Sequence, residues 1–338
     1  MDKCENMGMK YILSIDQGTT SSRAIVFDEN QNIISESQKE YKLQYPNDGW
    51  VEAKPDEILE SVKETTKKAL ESSKVDIAAC GITNQRETVV VWNRASGDPI
   101  YPAIIWQDRR TSDLCNELKK KKNLESEIRK KTGLLLDPYF SASKIKWILD
   151  NVDNARKMAE NGELCFGTIE TYLIWNLTKE KNHKTDATNA SRTMLMNLET
   201  LDWDDSLLEI FNIPKKILPE ICSCDDTFGS IEVCDQKFPI TGVIGDQQSA
   251  LFGQNCFEFG EMKSTYGTGC FLMVNTKENI YKSEARLLST VGCMLGGRAS
   301  YALEGSIFSA GTSIQWLRDE MKFFDDSSES EEFIDDDF

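Results

Sequence analysis

Two glycine–threonine turns, each caught between strand-forming runs, constrain this chain more than any other feature. Tyr11-Ile-Leu-Ser-Ile-Asp16 has the pattern of a strand, turns through Asp16-Gln-Gly-Thr-Thr20 and leaves as Arg23-Ala-Ile-Val-Phe27. The arrangement returns later, where Met262-Lys-Ser-Thr and Cys270-Phe-Leu-Met-Val274 flank Tyr266-Gly-Thr-Gly269. Two units that each turn at Gly-Thr predict two related domains facing each other, with a boundary near residue 255. A chain of 338 residues has room for both, since a domain takes about 150 residues.

The first unit continues with a turn at 28–31 and a third strand at 32–36. A helix is expected from Pro55. Proline suits the first helical position, Asp56 and Glu57 suit the positive end of the dipole, and Ile58, Leu59, Val62, Ala69 and Leu70 form an apolar stripe. A buried strand at 75–82 follows. Three adjoining strands, a helix and a further strand is the element order of ribonuclease-H-like domains. Beyond it the pattern predicts a hairpin between 87–92 and 99–105, a charged helix over 109–129, a buried strand at 239–245 and a helix starting at 247.

Charge and cysteine usage narrow the function. Lysine and arginine total 39 against 56 acidic residues, a net charge of −17. That balance argues against nucleic-acid binding, which needs a basic patch. The ten cysteines are scattered, several in apolar runs, with no C-x-x-C pair, and His183 is the single histidine. A zinc site therefore has little support, and reduced buried thiols fit better. Neither an export signal nor a run of ~18 apolar residues is present. A cytoplasmic protein without membrane insertion is expected. His183, in the polar run Lys181-Asn-His-Lys184, is expected at the surface.

In Asp16-Gln-Gly-Thr-Thr-Ser-Ser-Arg23 a glycine turn lets backbone N–H groups approach an anion, and hydroxyls add donors. Asp16 at a strand end can hold a metal ion through water, and Arg23 adds positive charge. A polar turn with no ligand explains the same residues. Asp246 sits between a strand and a helix start; it reads either as a helix N-cap or as a carboxylate aimed into a cleft.

Many segments, in one order, resemble the glycerol kinases of the FGGY sugar-kinase family: Asp16 to Arg23, Gly81-Ile-Thr-Asn-Gln-Arg-Glu87, Ile105-Trp-Gln107, Asp137-Pro-Tyr-Phe-Ser141, Thr188-Asn-Ala-Ser-Arg-Thr-Met194, Leu201-Asp-Trp-Asp204, Gly245-Asp-Gln-Gln248, Thr265-Tyr-Gly-Thr-Gly-Cys-Phe271 and Ser313-Ile-Gln-Trp-Leu-Arg-Asp-Glu320. The resemblance implies an α/β chain of two ribonuclease-H-like domains, of the actin/hexokinase ATPase type, flanking a cleft. It places a disordered N-terminus at 1–9, the polyol- and phosphate-binding domain at 10–255 and a partial nucleotide-side domain at 256–338. The implied reaction is ATP-dependent phosphorylation of glycerol with Mg²⁺. Arg86, Glu87, Tyr139, Asp246 and Gln247 are implied as polar contacts to glycerol, with Trp106 and Phe271 as walls, and Asp246 as catalytic base. Thr19, Thr20, Ser21, Arg23, Thr268, Gly311 and Gln315 are implied for the nucleotide, and Asp16 (through water) with Asp246 for the metal.

Family chains continue past this endpoint with the segment that holds adenine and ribose. The acidic 325–332 stretch, which alone resembles a disordered tail, is then expected as part of a helix. Strands at 262–274 and 289–303 are expected to expose apolar faces, making the chain poorly soluble or inactive if it acts alone. Another FGGY polyol or sugar kinase, an inactive remnant retaining polyol binding, and a homo-oligomer all stay open.

Overall fold

A computed structural model describes residues 10–267, 269–307 and 309–333. The expectation for residues 1–9 lies outside the described residues. The first sheet takes its strands from both ends of the N-terminal part: β1 (Tyr11–Gln17), β2 (Ser21–Phe27), β3 (Ile33–Glu40), β4 (Ile77–Asn84), β5 (Gly229–Val233) and β6 (Gln236–Gly245), in the order β5-β6-β4-β1-β2-β3. The outer pairs are antiparallel, while β1, β4 and β6 run parallel at the centre. Register decides where these central strands end. Asp16 pairs with Thr83, and Asn84 stands level with both Gln17 and Gly245. The three carboxyl ends therefore finish together, where ligands of open α/β sheets bind.

Helix α1 (Pro55–Ser73) buries the predicted stripe Ile58, Leu59, Val62, Ala69 and Leu70 against β2 and β3. Helix α2 (Ile169–Leu177) packs on β4 and β5. Leu13, Ile15, Val26, Ile58, Trp92, Tyr172 and Ile240 share the resulting core.

Three expectations need correction. The hairpin is irregular and not closed on itself: residues 89–93 bond back to 98–104, as from the Ile100 N–H to the Val91 carbonyl at 2.9 Å, but 90–93 also pair on their other edge with 164–167. The charged helix is two helices, Ser112–Lys119 and Leu124–Thr132, parted where Asn123 takes a left-handed φ of 64°. His183 is half-buried rather than solvent-facing. Its ring packs edge-on to Trp92 and Trp175, with Nε2 2.7 Å from the Phe166 carbonyl. Burial pushes its pKa down to about 4, against the pull of that carbonyl.

The second sheet is antiparallel throughout, in the order β7-β8-β10-β9, from β7 (Met262–Tyr266), β8 (Cys270–Lys277), β9 (Leu288–Leu295) and β10 (Arg298–Ile307). Helix α3 (Asp246–Gly253) leads to it from β6, and α4 (Gly311–Asp319) follows it; residues 327–333 form a 3₁₀ helix. Leu288, Val291, Met294 and Tyr301 pack into one core with Leu136, Phe140 and Leu198. At Gly133 the contact is so close that a Cβ would lie 2.4 Å from the Ser289 carbonyl oxygen. The Ser289 N–H donates to the Gly133 carbonyl at 3.0 Å. Among the described residues no helix is long and apolar enough to cross a membrane.

Candidate active site

Each predicted polyol residue sits where an element ends. Arg86 and Glu87 follow the end of β4 after one intervening residue, and Glu87 holds a left-handed φ of 60°, a strained backbone of the kind kept at functional sites. Asp246 opens α3 immediately after Gly245, so it is the first helical residue and Gly245 is the N-cap. Thr188 Oγ1 accepts the Gly245 N–H at 2.9 Å and is itself bonded to Asp186, which fixes this corner. Glycine is required at 245 because a Cβ would stand 2.9 Å from Cγ and Cδ of the Arg86 side chain lying across it.

Arg86, Glu87, Trp106, Tyr139, Asp246, Gln247 and Phe271 all line one cavity of about 180 Å³, joined by Thr19, Thr265, Gly267 and Gly269. The volume is below the roughly 300–1,000 Å³ of drug-sized sites and suits a molecule of a few heavy atoms. Trp106 meets Tyr139 and Phe271 edge-on, at ring centroid distances of 5.8 and 6.1 Å. Its indole N–H donates to Thr19 Oγ1 at 2.9 Å, so the first Gly-Thr turn buttresses the aromatic wall. That turn is braced in return: Tyr41, Gln17 and Gln85 all donate to the Gly18 carbonyl.

Behind the cavity lies a chain of charges. Arg86 Nε is 3.2 Å from Asp246, and its Nη1 donates to Glu304 at 2.6 Å and to Gln248 at 3.1 Å. The other Glu304 oxygen accepts from Arg192 at 2.8 Å, and Arg192 Nε donates to Glu87 at 2.6 Å. All but Asp246 are essentially buried. Burial alone would raise the Glu304 carboxyl, but Arg192 and Arg86 outweigh it and hold it at about 2. Asp246 keeps 34% of its side-chain surface open to the cavity, yet its withdrawal from bulk water raises its carboxyl to about 6. Arg86 opposes that rise, while Glu87 and Glu304 add to it.

Sequence reasoning missed Arg192, Glu304, Gln248 and Lys263. Arg192 lies inside the Thr188–Met194 motif and Gln248 inside the Gly245 one, which was the available signal; Glu304 had none.

The nucleotide side is gathered less completely. The Gly18 N–H closes on the Ser21 carbonyl at 2.9 Å. Gln38 joins Ser21 to Arg23, donating to Ser21 Oγ and accepting from Arg23, both at 3.0 Å. Thr20 is exposed. Gly311 is tied to the second turn by its N–H, 3.0 Å from the Gly267 carbonyl. Thr268 lies outside the described residues. Gln315 is exposed on α4, and none of the described contacts brings it to the cavity. Burial raises the Asp16 carboxyl against the pull of Arg23. Asp16 stands on β1 and Asp246 just past β6, with β4 between the two strands. Among the described residues no group of three or more His, Cys, Asp or Glu could hold a metal on its own.

The FGGY family of carbohydrate kinases, N-terminal domain, matches residues 11–253. The chain belongs to this family, and its fold is that of the actin/hexokinase-type ATPases. Within the family it is similar to glycerol kinases. It is 56% identical to that of Alteromonas mediterranea over 327 residues, covering 95% of this chain and 66% of that protein. It is 54% identical to that of Fusobacterium nucleatum over 331 residues, covering 96% and 67%. The crystal structure of Plasmodium falciparum glycerol kinase with ADP matches 96% of this chain and 66% of its own, with a TM-score of 0.90 at 41% identity. The chain thus spans about two thirds of the length of the relatives it matches.

Proposed function

We propose that this chain phosphorylates glycerol with ATP, giving sn-glycerol 3-phosphate and ADP, in the cytoplasm. The observation that carries the reading is the convergence of seven side chains, scattered from residue 86 to residue 271, on one small cavity. Its aromatic walls suit the carbon edge of a triol, and Arg86, Glu87, Asp246 and Gln247 supply donors and acceptors for its hydroxyls. Nine described cysteines are free thiols, as in a reducing compartment.

Asp246 is the general base. A carboxyl raised to about 6 is ionised at neutral pH yet basic enough to accept the proton of an attacking hydroxyl. Arg86 keeps it oriented from 3.2 Å. The hydroxyl oxygen then bonds to the γ-phosphorus as the bond to ADP breaks. Asp16 and Asp246, at the ends of parallel strands, are the carboxylates that would hold Mg²⁺, through water at Asp16; the ion, when bound, spreads phosphate charge. The Gly18–Ser21 and Gly267–Gly269 turns, the second tied to Gly311, offer backbone and hydroxyl donors to the phosphates.

The test is ADP release by the purified chain with ATP, Mg²⁺ and glycerol. Asp246→Asn is expected to lower kcat by about 10²–10⁴. Wild-type activity is expected to fall as pH drops through about 6, because protonated Asp246 cannot accept. Turnover insensitive to Asp246→Asn would remove the base assignment. Preference for a different polyol or sugar would remove the substrate. Glycerol binding by a folded chain without turnover would favour a remnant that retains the polyol site.

A further inference from the structure

The ammonium of Lys263, on β7, lies behind the cavity wall, and the residue is only 5% exposed. It donates to Gln247 Oε1, to Thr265 Oγ1 at 2.9 Å and to the Phe271 carbonyl at 3.4 Å. All three acceptors belong to residues lining the cavity. An ammonium has three hydrogens and no lone pair, so the amide atom facing it must be the oxygen. The orientation of a glutamine amide is ordinarily settled by its neighbours, and here a pure donor settles it. Gln247 Nε2 has no protein acceptor among the described hydrogen bonds and is left to serve as a donor.

The preceding residue is Asp246, whose ionised carboxylate accepts only. A hydroxyl held between the two receives a hydrogen bond from Gln247 and has its own proton directed to Asp246. With the amide reversed, Gln247 would offer an acceptor and compete with Asp246 for that proton.

We propose that Lys263 is a positioning residue of the transfer site, pinning the Gln247 amide so that its NH₂ faces the polyol and the reacting hydroxyl turns its proton to Asp246. The proposal rests on glycerol being the acceptor. Burial lowers the lysine's pKa to about 8, with Arg86 adding to the fall and Glu304, Asp246 and Cys256 opposing it, so the ammonium persists at neutral pH. Lys263 comes from the second sheet and Gln247 from α3, so the pinning also joins the two.

The experiment is calorimetric titration of glycerol into the full chain and into Lys263→Met, Lys263→Arg, Gln247→Ala and the Lys263→Met/Gln247→Ala double variant. Lys263→Met is expected to weaken binding by about tenfold or more, as loss of a charged hydrogen bond does. Lys263→Arg, which still donates, is expected to stay within a few fold. In the Gln247→Ala background Lys263→Met is expected to change affinity by less than about twofold, because its effect passes through Gln247. Binding by Lys263→Met within twofold of wild type, or losses that multiply in the double variant, would overturn the proposal. Should Lys263→Met fail to fold, Gln247→Glu decides. It keeps the partner of Lys263 but presents oxygen to the polyol, and wild-type affinity there would equally overturn the proposal. A folded wild-type chain that binds no glycerol would instead overturn the polyol reading itself.

Discussion

Glu170 shows how far a single buried group can set the behaviour of the chain. It is fully buried, with Thr168, Thr171, Thr185 and Asn84 donating to its carboxyl. Burial, reinforced by the neighbouring Asp186, raises its pKa to about 7 from an ordinary 4.5. The folded state therefore binds its proton more tightly than the unfolded one. The contribution to stability is whole below pH ~4.5 and is lost as pH rises through about 7, amounting to ~3 kcal/mol. Urea midpoints at pH 5 and pH 8 should differ by less in Glu170→Gln than in wild type; an unchanged difference would assign the effect elsewhere. Glu170 was invisible in the sequence, where it follows an apolar run and sits at a helix start. The polyol residues were legible because each lies in a motif at an element end. His183 misled because its polar neighbours in sequence say nothing of Trp92, brought to it from 91 positions away.

Elements were legible where the apolar period was strong, as in α1 and the central parallel strands. They failed where pairing is non-local, as at residues 90–93, whose second partner, the 164–167 strand, lies far along the chain. The same distance hid Glu304. It projects from β10 and accepts from Arg86 and Arg192, so the second sheet completes the charge balance of the first. Glu304→Gln is expected to lower stability by about 3–5 kcal/mol, because two guanidiniums stay buried with too little opposing charge. Chemical unfolding measures this. A loss under ~1 kcal/mol would mean that Glu87 and Asp246 suffice to balance them.

On the molecular scale the second sheet leaves several large apolar side chains open to solvent. Met262, Leu272 and Ile307 are 59%, 39% and 62% exposed and border a concavity of about 910 Å³. Apolar patches of this kind promote association. Replacing the three by threonine, a residue at home in strands, is expected to reduce large species in light scattering and to leave glycerol affinity unchanged. Unaltered scattering would place the sticky surface elsewhere.

The bond from Arg86 to Glu304 joins residues 218 positions apart. Synthesis at ~5–20 residues per second separates their emergence from the ribosome by roughly 10–40 seconds. During that interval the nascent chain holds a guanidinium that lacks one of its carboxylate partners. Glycerol cannot template the early part of folding, since the pocket it would recognise is finished only when the second sheet has been made.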